Sequence, residues 1–335
     1  MSLRRKTAEA GANLAGSRRA RFGDVVMRRL VAAAGVGLIA LLAVIIVTLA
    51  TGGTSALRHF GFGFLTSTKW IPTEEIFGAW PFIYGTLVTS AIALVLAVPV
   101  SVGLALFVTE VCPKPIRAPL SALSDMLAAI PSVVYGLWGI FVLAPWMGTT
   151  LEPALRSSIG RVPAVGALFH GNTNGGYNFF TAGVILAVMI LPIISSIARE
   201  VLAIVPKDLR DGAYALGATR YEVVRGVTLP FARTGIVGAS MLGLGRALGE
   251  TIAVTMVIGS AYGVVGGNLF RPGNTIPAVI ASNFNEATTA GLERSTLVSL
   301  ALILVVISLV FAAVARLLVR RTTRQRRGSI AKVAA

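Results

Sequence analysis

Residues 209–230 read LRDGAYALGATRYEVVRGVTLP, a polar and charged stretch set between two long apolar segments. Its neighbours decide what it is. The chain is 55% hydrophobic and only 13% charged, and its mean hydropathy is +0.79. A soluble domain carries about a quarter charged residues. The apolar residues come in blocks of 20 or more, enough to cross a hydrocarbon core about 30 Å thick as helix. The fold class is therefore an all-α integral membrane protein, and residues 209–230 form a loop between two of its spans.

Working outward from that loop gives six transmembrane helices. They are expected at about 30–51, 82–108 with Pro99, 121–145 with Pro131, 179–198 with Pro192, 234–260 and 295–317. Spanning helices tolerate such prolines because neighbouring groups satisfy the freed carbonyls. The first apolar run is too long for the roughly 7–15-residue core of a signal peptide. Thr48-Leu49-Ala50 is a weak cleavage site, so this span reads as an uncleaved anchor. The domain plan is a basic tail (1–29), a six-helix membrane domain (30–318) and a second basic tail (319–335), both tails expected to be disordered. The loop at 52–81 is long and aromatic, and Trp70 and Trp80 would suit a membrane interface.

Lysine and arginine orient the chain. Of its 30 basic residues, 23 lie in the two tails, the 109–120 loop and the 199–233 segment; six lie in the other three loops; Arg246 lies within the fifth span. The imbalance places both termini and the 209–230 loop in the cytoplasm. The same distribution argues against nucleic acid, despite a net charge of +16, because the charge follows topology rather than a stripe. The tails could also touch anionic lipid. Cys112 is the lone cysteine, which excludes a disulfide framework or thiolate metal site. His59 and His170 fall in different loops and read as water-facing, so no metal or catalytic residue is assigned.

The loop itself has a pattern. Asp211-Gly212-Ala213 is followed after three residues by Gly217, after nine more by Val227, and then by Leu229-Pro230. This resembles the EAA loop of bacterial ABC importer permeases: Glu-Ala-Ala, three residues, Gly, nine residues, Ile, one residue, Leu-Pro. The departures are Asp-Gly for Glu-Ala and Val for Ile. The resemblance implies a helix-turn-helix, spanning about 208–230, that docks on a cytoplasmic ATPase. The physics is compatible. Gly217 permits a turn with positive φ; Ala213, Ala215, Leu216 and Ala218 offer a small apolar surface, ringed by charge; and Pro230 is expected to close the segment. No Gly-x-x-x-x-Gly-Lys-Ser/Thr run is present, so ATP and its magnesium would belong to a partner ATPase, with no cofactor in this chain.

Arg246 and Glu250 fall within the fifth span. Four residues apart, they are expected to share a helix face and to pair. A lone charge at the centre of a spanning helix costs about 2.5–3.5 kcal/mol on insertion scales. Arg246 reads as a fixed positive charge on an anion path or a gate, and Glu250 as its moderator; the alternative is a structural ion pair. Gly245 and Gly249 suit close helix approach. Asp125 reads as a helix-end or packing residue.

Further stretches carry a wider resemblance: FGFGFLTSTKW, FGAWPFIYGTLVTSAIALVLAVPVSVGLALFVTE, AAIPSVVYGLWGIFVLAP, FFTAGVILAVMILPIISSIAREVL and GLGRALGETIAV, over about residues 55–318. These are similar to PstC-type permeases of high-affinity phosphate importers. The resemblance implies the type I ABC importer permease fold and a path for inorganic phosphate. It also implies a PstA-type sister permease, a PstB-type ATPase dimer and a PstS-type extracytoplasmic binding protein. A permease for sulfate or molybdate, or an ATP-independent secondary carrier, remains the alternative. A membrane enzyme lacks a nucleophile–base or metal set in the spans, and a scaffold has no need of the charged GRALGET stretch.

Overall fold

The computed structural model describes residues 18–162, 166–171, 174–287 and 291–333. Six helical stretches are long and apolar enough to cross a membrane: Gly23–Gly52, Trp80–Val111, Ser132–Ser158, Asn174–Ala203, Arg220–Leu248 and Leu292–Leu317. The chain forms two compact units, 1–51 and 52–335. The first consists, in its described part, of helix α1 (Arg18–Gly52) up to Thr51. Residues 1–17 of the basic tail lie outside the described residues.

The second unit holds the other five spans. Helix α2 (Trp80–Leu106) ends in a π-turn at Phe107–Val111. Helices α3 (Lys114–Ala129) and α4 (Ser132–Trp138) follow, then α5 (Phe179–Ala203). The short α6 (Lys207–Ala215) and α7 (Arg220–Val223) lead into α8 (Leu229–Leu248). Helices α9 (Ile252–Val257), α10 (Ile276–Asn283) and α11 (Leu292–Val333) complete the chain.

Helix α5 is the axis of this unit. Ile185, Leu186, Ile190 and Ile194 are almost wholly buried, packed with Ala93 and Ala97 of α2 and with Val254 and Val257 of α9. Lipid tails are as apolar as these side chains, so contact quality rather than escape from water holds spanning helices together. Small residues supply the contact: a Cβ added at Gly183 would overlap Ile92, and one at Gly243 would overlap Ile194. Ser101 Oγ adds a 3.0 Å hydrogen bond to the Leu191 carbonyl, joining α2 to α5. A second cluster gathers Phe64, Trp70, Phe77, Phe82 and Leu297. Trp70 is therefore core rather than interfacial, its ring edge-on to Phe77 and Phe82 at centroid separations of 4.8 and 4.9 Å. Trp80 is partly exposed.

Four differences from the sequence expectations have local causes. The third span runs over 132–158, not 121–145. A residue before proline is pushed out of the helical region; Ile130 is extended (φ −66°, ψ 128°), so Pro131 separates α3 from α4 instead of kinking one helix. The fifth span runs over 220–248 rather than 234–260. It stops at Gly249 because that glycine and Thr251 are poor helix formers, and Glu250 lies in neither flanking helix. Pro230 does not close the 209–230 segment: a π-turn at Val224–Thr228 carries the helix past it, with Pro230 in the first turn of α8, where a missing N–H is tolerated. The C-terminal segment continues α11 through Val333 instead of leaving the helix at 318; its Arg, Gln, Lys and Ala residues have good helix propensity.

Candidate functional site: the coupling segment and the charged seam

Helix α6 ends at a sharp turn. The N–H of Gly217 donates to the Tyr214 carbonyl (2.9 Å) and that of Ala218 to the Ala213 carbonyl (3.1 Å). This is the paired bonding of a Schellman C-cap, and Gly217 sits at φ 84°, a left-handed value that a residue bearing Cβ resists. No heavy atom lies within 4 Å of the place a Cβ would occupy, so glycine is required for conformation and not for space. The chain restarts through a capping box. Thr219 N–H donates to Glu222 Oε2 (2.8 Å), and Glu222 N–H donates to Thr219 Oγ1 (3.4 Å). The Thr-x-x-Glu spacing of residues 219–222 is the sequence signal for this box.

The segment is presented rather than packed. No residue of α6 is buried. Asp211, Gly212, Ala215 and Gly217 are exposed, while Ala213 and Ala218 are half-buried. Leu216 is 91% exposed, and Leu209, Tyr214 and Tyr221 are open beside it. At the far end Leu229 is half-buried and Pro230 exposed. One charged side chain turns inward: Arg210 Nη1 donates to Glu110 Oε1 at 2.9 Å.

The charges expected in the fifth span are arranged differently from the spacing rule. Arg246, in the last turn of α8, is exposed and makes no ion pair among the described residues. Glu250, past the helix break, is buried and accepts the Ala253 N–H at 3.3 Å, capping α9. The two do not share a continuous helix face. Arg246 does lie within electrostatic reach of Tyr135, whose hydroxyl donates to the Leu127 carbonyl at 2.8 Å and so bridges the Pro131 elbow.

A second polar seam was missed. Arg199 of α5, 9% exposed, donates through Nη2 to Asp125 Oδ1 of α3 at 2.5 Å, and its buried Nη1 has no partner among the described residues. One helical turn before it, Ser195 Oγ lies 3.1 Å from Ser124 Oγ. Two side-chain contacts thus hold α3 to α5. Arg199 was counted only as a topological charge and Asp125 set aside; an i, i+4 serine–arginine pair on one helix and adjacent Ser-Asp on another was the available signal. Glu152, assigned to a loop by the misplaced third span, is fully buried. Its Oε1 accepts from Asn178 Nδ2 (2.7 Å) and Thr181 Oγ1 (3.3 Å).

The chain is thus a bundle of spanning helices that presents an exposed turn between two of them. Residues 97–324 match the family described as binding-protein-dependent transport system inner membrane component. The phosphate transport system permease protein PstC of Mesorhizobium japonicum is 46% identical over 304 residues, 91% of this chain and 92% of the relative. The chain belongs to the PstC-type permeases of that family. The PstC protein of Haemophilus influenzae is 45% identical over 84% of this chain and 88% of its own length. PstC 1 of Mycobacterium tuberculosis is 41% identical over 80% and 85%. Among solved structures, a bacterial alginate ABC transporter in complex with its alginate pentasaccharide-bound periplasmic protein aligns over 90% of this chain and 98% of that chain, with TM-score 0.59 and 17% identity. That likeness shows the type I ABC importer permease fold. A PstC-type permease is a multi-pass inner membrane protein and a transport subunit rather than an enzyme.

Proposed function

We infer that this chain is a permease subunit of an ATP-driven phosphate importer. The observation that carries the reading is the near-full-length similarity to permeases named for phosphate transport. The exposed turn at Gly217 supports it, being shaped as a docking element for a separate ATPase.

In this reading a PstA-type sister permease completes the path. A PstS-type binding protein delivers phosphate at the outer loops. A PstB-type ATPase dimer, carrying ATP and magnesium, seats on Asp211, Gly212, Ala213, Ala215, Leu216, Gly217 and Ala218, with Leu229 and Pro230 joining the segment to α8. The chain itself needs no cofactor. Both termini and the coupling segment face the cytoplasm. Closure of the ATPase dimer displaces α6 and α7, and the spans rock about the path. Arg246 supplies positive charge there: unpaired and exposed, it attracts an oxyanion without a carboxylate competing for its donors. Conduction requires that this attraction stay weak enough for release. Glu250 fixes the break between α8 and α9 and so sets where Arg246 stands.

The test is uptake of labelled phosphate into proteoliposomes holding this chain, its sister permease and the ATPase. ATP is inside, the binding protein outside, and sulfate in excess. ATP-dependent uptake that sulfate does not inhibit is expected. Uptake without ATP would refute energy coupling, and inhibition by sulfate would refute the substrate.

A further inference from the structure

Helix α6 has few holds on the membrane domain. None of its residues is fully buried, only Arg210 and Ala213 are half-buried, and its neighbours in the packing are α7 and the π-turn that follows. Covalently it joins only the fourth and fifth spans. A push on α6 therefore reaches the second span either indirectly, through the fourth span that packs on it, or directly, through a side-chain contact. That contact is present. Arg210 Nη1 meets Glu110 Oε1 at 2.9 Å, with side-chain exposures of 20% and 10%. Arg210 Nη2 also donates to the Val205 carbonyl at 3.4 Å, which holds the guanidinium across the α5–α6 junction.

Glu110 stands in the π-turn that ends the second span. Directly before it, Ala105 packs with Ala198, Leu202 and Ala232 from the fourth and fifth spans. The carboxylate is thus fixed to a point where three spans converge. A guanidinium held by two acceptors in a partly dry site resists displacement far more than an exposed pair does. Coupling between sites needs such a chain of rigid contacts.

We propose that the Arg210–Glu110 ion pair is the strut that carries displacement of the coupling segment into the second span, making both residues positioning residues for transport. The proposal rests on the reading that an ATPase docks on α6. Neither residue faces the docking surface, so losing the strut separates ATP hydrolysis from transport without undocking the ATPase.

The experiment uses the full complex. Glu110→Gln and Arg210→Gln are expected to co-purify with the ATPase and hydrolyse ATP, while phosphate taken up per ATP falls by about 10-fold. Glu110→Arg combined with Arg210→Glu is expected to recover most of that loss. Unchanged uptake per ATP in both single variants would overturn the proposal. So would failure of the swapped pair to recover if the single variants do not assemble. A second readout does not depend on the substrate: spin labels on cysteines replacing Val111 and Tyr214, with Cys112→Ser. A narrow interspin distance in the parent should broaden in Glu110→Gln, and an unbroadened distance would overturn the strut. If the parent complex fails to import phosphate, the functional reading falls while this measurement still decides the strut.

Discussion

At the scale of single residues, the two charged positions in the fifth span have separated roles. Arg246 is the exposed one, free of an ion pair among the described residues, and Glu250 is the buried one, spent on the Ala253 N–H. Arg246→Gln removes the charge and keeps most of the side-chain volume. Phosphate uptake should fall by about 10-fold or more, since a hydrogen bond to a charged group is worth about 1.5–3 kcal/mol, while the complex still purifies intact. Unchanged uptake would make Arg246 structural only. Asp125 makes a different prediction. Asp125→Asn leaves Arg199, whose Nη1 already lacks a partner, without its counter-charge. A buried pair broken on one side costs about 3–5 kcal/mol, but the Asp125 side chain is 54% exposed. Water can therefore replace much of what is lost, and about 1–2 kcal/mol is expected, in line with one hydrogen bond to a charged group. Detergent-titrated unfolding of the two proteins measures it, and a difference near zero would make the pair incidental.

At the scale of elements, Gly217 is the point where sequence and structure agree most closely. The EAA spacing called for a turn of positive φ, and the turn is there at 84°. A β-branched residue in the left-handed region carries about 1–2 kcal/mol of strain, and nothing else crowds the site. Gly217→Val should therefore leave the chain inserted and paired but deform the α6–α7 turn, so that co-purification with the ATPase or ATP-driven uptake is lost. Gly217→Asn, which tolerates this conformation, should retain both. Normal uptake by the valine variant would refute docking at this turn. Elsewhere the elements were readable only where hydropathy alone defines them. The second, fourth and sixth spans lie within about five residues of the expected places, because a spanning helix is set by the length of an apolar run. The third was displaced because α3 is apolar enough to imitate a span, and hydropathy does not register that Ile130 must leave the helix before Pro131. The Arg246–Glu250 face failed for a related reason: i, i+4 spacing presumes an unbroken helix, and Gly249 breaks it. The Arg199–Asp125 and Arg210–Glu110 pairs join residues 74 and 100 apart in sequence, so a local pattern can mark one side of a pair but cannot join the two sides.

For the whole molecule, every proposed role depends on the coupling segment meeting the cytoplasm, and so on which side each loop faces. The distribution of lysine and arginine gives that orientation from charge alone, and two exposed side chains on loops of opposite expected side make it measurable. Leu216 at the tip of the coupling segment is 91% exposed, and Phe62 in the loop after the first span is 90% exposed. With the native thiol removed by Cys112→Ser, a cysteine at either place is the one target for a membrane-impermeant maleimide. In whole spheroplasts Phe62→Cys should label and Leu216→Cys should not; in inverted vesicles the pattern should exchange. Between positions 62 and 216 lie the second, third and fourth spans, an odd count that forces opposite faces. Labelling of both from one side would therefore break the span assignment itself. Exchange in the reverse sense would keep the six-span fold but put Gly217 outside the cell, beyond the reach of any cytoplasmic ATPase.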